Sequence, residues 1–202
     1  MKAPESDHQL FERLRAGQEE AFVALYRRRQ PALYRFALQM GGSPAVAEDV
    51  TQEVFLALLR DSCGYEPERG TLVAYLFGIA RKLLLRQFER RRLDVALDVD
   101  GDFGGIREPA DLSDPLADLA ERERIEALRR AVGSLPRRYR EVVVLCDLEE
   151  LDYAEAAAAL GCPIGTVRSR LHRARLLLAE KLRDERRGGA PVTDWKAARC
   201  LA

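Results

Sequence analysis

Only two of the 202 residues are histidine, one is tryptophan and four are cysteine. The histidines, His8 and His172, stand far apart, and neither makes zinc-finger spacing with a cysteine, so a metal centre is not expected. The cysteines, Cys63, Cys146, Cys162 and Cys200, form no Cys-x-x-Cys pair and offer no disulfide framework. Long apolar runs are also missing. Nothing approaches the roughly 20 consecutive apolar residues that span a bilayer, so no membrane insertion is expected. The opening MKAPESDHQLFERL lacks the apolar core of a secretion signal, which points to a cytoplasmic location. No Ser-His-Asp set and no phosphate-cradling glycine loop occurs, so neither an enzyme nor a cofactor is expected.

Net charge is lacking too: 33 basic residues balance 33 acidic ones. Taken alone, neutrality argues against nucleic acid as a partner. The charge is segregated, however. Residues 60–92 carry a net +4, residues 93–118 a net −7, and residues 168–187 a net +5. Two basic blocks separated by an acidic stretch suggest two DNA-facing modules and a tether.

Strand-like alternation is nearly absent, and Ala, Leu, Arg and Glu dominate, so the expected fold is all-α. Ser6 with Gln9 makes a capping box for a short helix that ends at Gly17. A second helix is expected over 18–40, with Pro31 inside it, and Gly41-Gly42 breaks it. Ser43-Pro44 then reads as cap and first position of a helix to Arg60. Val46, Val50, Val54, Ala57 and Leu58 form one apolar stripe of that helix. Phe55, Leu56 and Leu59 form a second on roughly the opposite side, beside Glu48, Asp49 and Gln52. Such a helix is either buried twice within its own domain or docks a partner protein.

After a Gly- and Pro-containing loop over 61–70, Thr71 can cap a helix to Arg92. Its apolar face is read as Leu72, Tyr75, Leu76, Ile79, Leu83 and Phe88. Arg81, Lys82, Arg86, Arg90, Arg91 and Arg92 supply the positive side, with Tyr65, Tyr75, Phe77 and Phe88 interleaved. Rings that stack on unpaired bases, next to cations that meet phosphates, suit single-stranded nucleic acid. A solvated amphipathic helix is the plainer alternative. Residues 93–116, rich in Asp, Gly and Pro, read as a flexible linker. Four helices are expected next, over 117–134, 136–147, 153–160 and 163–186, followed by a tail from 188 to 202.

The most specific local pattern lies in this second part. Asp152 and Glu155 make a capping box, Gly161 ends the helix, and Pro163 opens another, which together describe a helix-turn-helix. Ile164, Val167, Leu171, Ala174 and Leu178 recur at helical spacing and should point inward. The opposite face carries Gly165, Ser169, His172, Arg173 and Leu176, flanked by Thr166 and Arg168, and suits a major groove. Arg170 and Arg175, nearer the flanks, suit phosphates. An ordinary helical hairpin is the alternative.

Several stretches resemble the RNA polymerase sigma factors of the extracytoplasmic-function (ECF) type. Leu135-Pro136-x-x-Tyr139-Arg140-Glu141-Val142-Val143-x-Leu145 and the run from Glu155 through Gly165-Thr166-Val167-Arg168-Ser169-Arg170-Leu171 to Arg175 are similar to the family's region 4. Ala47-Glu48-Asp49-Val50-x-Gln52-Glu53-Val54-Phe55 and the run from Gly70 through Tyr75 to Arg81 are similar to region 2.

The resemblance implies two small helical domains, region 2 over 6–92 and region 4 over 117–187, joined by the acidic linker. It implies that Asp49, Gln52, Glu53, Phe55 and Leu56 contact core RNA polymerase. Tyr65, Arg69, Tyr75, Arg81, Lys82, Arg86 and Arg90 would hold the melted downstream (−10) promoter element. Thr166, Arg168, Ser169, Arg170, His172, Arg173 and Arg175 would read the duplex upstream (−35) element. An anti-sigma protein is a further partner the resemblance allows. Many relatives carry Trp where this chain has Tyr75 and Asn where it has Lys82, which bears on downstream preference and not on the domain assignment. A helix-turn-helix regulator acting as a dimer on a palindromic site is the competing reading.

Overall fold

The computed structural model describes residues 5–61, 64–95 and 115–186, with the side chains of 91–95, 115–123 and 184–186 excepted. All regular structure among the described residues is helical. The linker's central part and the tail lie outside them.

Helix α1, Asp7–Arg15, is closed at its start by the expected Ser6–Gln9 capping box, and the chain turns away after it through Gly17 at φ +81°. Helix α2, Glu19–Gly41, contains Pro31 and ends on Gly42 in the left-handed conformation. Asp7 holds α1 to α2 by accepting from both Arg28 and Arg29. Helix α3, Pro44–Arg60, has Pro44 in its first turn, but the Ser43 hydroxyl makes no capping bond. The loop that follows includes a short 3-10 turn at Pro67–Arg69. Helix α4, Leu72–Val95, starts where Thr71 Oγ1 accepts from the Ala74 amide at 3.3 Å.

In the second half, α5 spans Pro115–Gly133 and α6 spans Arg137–Val143. Helix α6 widens into a π-helical turn over Val144–Leu148, where the sequence predicts one continuous helix. Helix α7, Tyr153–Leu160, is bounded by the Asp152–Glu155 capping box and by Gly161 at φ +63°. Helix α8, Ile164–Arg186, completes the helix-turn-helix.

Among the described residues the buried side chains form one continuous apolar cluster, not two. Phe11, Leu25, Leu33, Phe36, Val50, Val54 and Leu58 fill the first half, and Leu135, Val142, Leu145, Val167, Leu171 and Ala174 the second. Helix α7 packs along α4, which joins them. The sequence, read as two modules on a tether, gives no sign of this docking, because it rests on small side chains and long-range ion pairs. Arg140 adds to it: its guanidinium donates to the carbonyls of Gly133 and Leu135, and to that of Gln39 on α2 at 3.5 Å.

Candidate polymerase and promoter surfaces

Helix α3 has two unlike sides. Val46, Val50, Val54 and Leu58 are buried against α2 and α4, as the first stripe predicts. On the other side Glu48, Asp49, Gln52 and Glu53 are exposed. Leu56 and Leu59 remain 40% and 45% exposed, beside those acidic and polar side chains. Phe55 departs from the expectation: it is buried, with its ring edge-on to Phe22 and 4.6 Å from Tyr26. It supports the face and does not belong to it. Tyr26 and Val23 on α2 are exposed instead and extend the apolar surface. Sequence reasoning missed them because α2 shows its apolar residues at one continuous spacing, which does not reveal where burial stops.

The residues expected to meet melted DNA divide into two groups. Tyr65, Arg69, Tyr75, Arg81 and Lys82 line a groove of about 410 Å³, whose opposite wall is Ala158, Ala159, Leu160 and Gly161. Arg86 and Arg90 line a different groove of about 460 Å³ together with Asp49, Gln52 and Glu53. The helical advance explains the split: four residues turn a helix by 40° beyond a full circle, so Lys82, Arg86 and Arg90 drift around α4. Arg91 and Arg92 fall outside the described side chains.

Two of the interleaved aromatics are structural. Phe77 is buried edge-on against Phe36. Tyr65 is buried at 5.0 Å from Phe11 in a T-shaped pair, and its phenol is pushed up in pKa, first by burial and then by Asp7. Tyr75, its ring tilted 45° to that of Tyr65 with centroids 5.6 Å apart, is only half-buried and lines the first groove. The apolar face of α4 is correspondingly Leu72, Ala74, Leu76, Phe77, Ala80 and Leu84, with Ile79, Leu83 and Phe88 at its margin.

On α8, Val167, Leu171, Ala174 and Leu178 are buried as expected. Ile164 is not; it is the first helical residue after Pro163, and no preceding turn covers it. Gly165, Arg168, Ser169, His172, Arg173 and Leu176 are exposed, while Thr166 and Arg170 are half-buried. Arg168 stacks over the Tyr153 ring at 5.7 Å. Arg175 pairs with Asp147 at 2.6 Å on an exposed surface, an ion pair weak enough for a phosphate to compete with. Among the described residues no group of His, Cys, Asp or Glu is placed to hold a metal ion. No helix among them is long and apolar enough to cross a membrane.

A helix-turn-helix with an open arginine-bearing face, set beside a helical body with an exposed acidic-apolar edge, is the arrangement that the resemblance to sigma factors implies. Residues 25–93 match the family described as Sigma-70 region 2, and residues 125–178 match Sigma-70, region 4. The chain is 40% identical over 162 residues to the ECF RNA polymerase sigma factor SigE of Mycolicibacterium smegmatis, covering 78% of this chain and 60% of that protein's length. It is 34% identical over 152 residues to EcfG of Rhodopseudomonas palustris, covering 75% and 80%. The sigma factor RpoE of Bartonella quintana, solved with the anti-sigma factor NepR, superposes with a TM-score of 0.67 at 27% identity, over 80% of this chain and 96% of that one. CnrH, solved with the cytosolic domain of CnrY, superposes with a TM-score of 0.64 at 25% identity, over 88% and 97%. The chain belongs to the ECF RNA polymerase sigma factors.

Proposed function

We propose that the protein binds core RNA polymerase through the outer side of α3 and directs initiation at promoters read by α4 and α8, in the cytoplasm and without covalent chemistry of its own. The observation that carries this reading is α3 itself: one side closes the core, and the other leaves Asp49, Gln52, Glu53, Leu56 and Leu59 exposed, the two leucines only partly covered by the rest of the chain. A partner that covers this strip removes apolar surface from water while acids at its edge fix the register.

DNA contacts divide by chemistry. Arg69, Tyr75, Arg81 and Lys82 form a basic groove with one available ring, suited to a strand whose bases have left the duplex. Thr166, Arg168, Ser169, His172 and Arg173 lie on the first three turns of α8, where a recognition helix meets base edges. Arg170, and Arg175 once freed from Asp147, serve phosphates. Neither half needs high affinity alone, because the linker makes the second contact intramolecular.

Asp49→Ala with Gln52→Ala tests the polymerase contact: co-elution with core polymerase is lost while helicity is retained, and undiminished co-elution refutes the assignment. Arg173→Ala tests base reading by anisotropy on duplex promoter DNA. Selectivity over scrambled duplex should drop, since a bidentate base contact is worth about 1–3 kcal/mol.

A further inference from the structure

Three consecutive leucines close the arginine-bearing part of α8, and they face different ways. Leu178 is buried and Leu177 half-buried in the core. Leu176 is 58% exposed, more than any other large apolar side chain among the described residues. It follows Ser169 by two turns less about 20°, so both stand opposite the buried row of Val167, Leu171 and Ala174. Ser169, His172, Arg173 and Leu176 thus repeat the spacing at which a homeodomain recognition helix reaches base edges. They span about 10 Å of helix, or about three base-pair steps. Charge marks where that footprint ends. Residues 164–179 hold four arginines and no acid, and the first carboxylate of α8, Glu180, is exposed one turn past Leu176. Phosphates are attracted along the helix as far as Leu176 and repelled beyond it.

We infer that Leu176 is a base-reading residue that packs against the 5-methyl group of a thymine in the major groove of the upstream element. The inference rests on the reading of the outer α8 face as the upstream-element surface, and adds to it one residue and one base. A leucine side chain has no hydrogen-bonding group, and thymine alone among the bases shows the major groove an apolar one. Set against cytosine or adenine, the same side chain would cover the exocyclic amino group and leave a donor unpaired. The rest of the face works through polar atoms. Arg168 and Arg173 donate, and Ser169, whose hydroxyl already donates to the Thr166 carbonyl at 3.1 Å, has lone pairs left to accept with. Leu176 supplies the apolar contact that these groups cannot make, and covering one methyl contributes about fourfold in affinity.

The test removes the methyl as well as the side chain. Holoenzyme formed from the full chain and core polymerase is titrated by anisotropy with a labelled duplex carrying a promoter that this holoenzyme transcribes. The upstream element is located by scrambling short blocks, and each of its thymines is replaced singly by deoxyuridine, which lacks only the methyl. For the parent chain, one replacement should weaken binding about fourfold. Leu176→Ala should bind the thymine duplex about fourfold more weakly than the parent and show no response to that replacement, while Leu176→Met keeps the response. Helicity and melting should not change, because the side chain is mostly exposed in the free chain. An element without thymine, a parent indifferent to every replacement, or the same loss persisting in Leu176→Ala overturns the inference. Arg173→Ala separates that failure from failure of the whole face. Selectivity over scrambled duplex lost in Arg173→Ala keeps α8 as the reading helix whatever Leu176 does. Selectivity unaltered in Arg173→Ala and Leu176→Ala alike, or an upstream region that can be scrambled without effect, removes both.

Discussion

Removing Leu56 and Leu59 together should separate polymerase binding from folding. Burying a whole leucine side chain contributes about 1.5–3 kcal/mol. With 40% and 45% of these two residues still exposed, a docked partner has about 1 kcal/mol to recover from each. The double change to alanine should therefore weaken core-polymerase binding by about 2 kcal/mol, or roughly thirtyfold. The free protein should lose little, because the same atoms are only partly covered in it. Phe55→Ala gives the opposite pattern. That ring is buried between Phe22 and Tyr26, so its removal should cost about 3–5 kcal/mol of stability before any effect on binding is read. Titration of labelled core polymerase with each variant, alongside thermal melts, measures both. Polymerase affinity unchanged in Leu56→Ala/Leu59→Ala, with the melt also unchanged, would refute the assignment of the outer α3 face.

Three further outcomes follow from local geometry. Asp152→Ala removes one half of a complete capping box and should lower stability by about 1 kcal/mol in denaturant unfolding, with weakened duplex binding because α7 sets the angle of α8. The Cys146 thiol is pushed up to about 11, first by burial and then by Asp147, so at neutral pH it should resist iodoacetamide in the native state and react only on unfolding. Burial raises the Glu149 carboxyl above its ordinary range, although Arg35 pulls it back. A raised carboxyl holds its proton more tightly when the halves are docked than when it is free in water. Its contribution to docking is thus lost as pH rises through the raised value, and acidification across that window should compact the chain in scattering measurements; expansion there would contradict the sign.

Helices were legible in the sequence wherever the signal is local. Ser6 with Gln9, Asp152 with Glu155, and Gly42 and Gly161 each determine their own helix end through hydrogen bonds or backbone conformation within a turn. The stripe through Val167, Leu171 and Ala174 gave the buried side of α8 for the same reason. Burial of aromatics was not legible. Tyr65 stands beside charges in the chain and Phe77 in an apolar run that does not say which side is buried, and only Phe11 and Phe36, brought from distant helices, show them to be core. Nor could the sequence place Arg81, Arg86 and Arg90 on different grooves, since that depends on which helices flank α4. The docking of α7 on α4 is the least local feature of all. Its partners, Arg35 with Glu149 and Arg81 with Glu141, are separated by more than half the chain or by the whole linker, and nothing in their own surroundings marks them as a pair.

The most direct measurement is run-off transcription with purified core polymerase and the full chain, using fragments of the source genome as template. Discrete transcripts should begin at a set of sites that core polymerase alone does not use, and Asp49→Ala/Gln52→Ala should abolish them. No chain-dependent start at any site, with both proteins folded and core polymerase active on primed templates, would contradict the account.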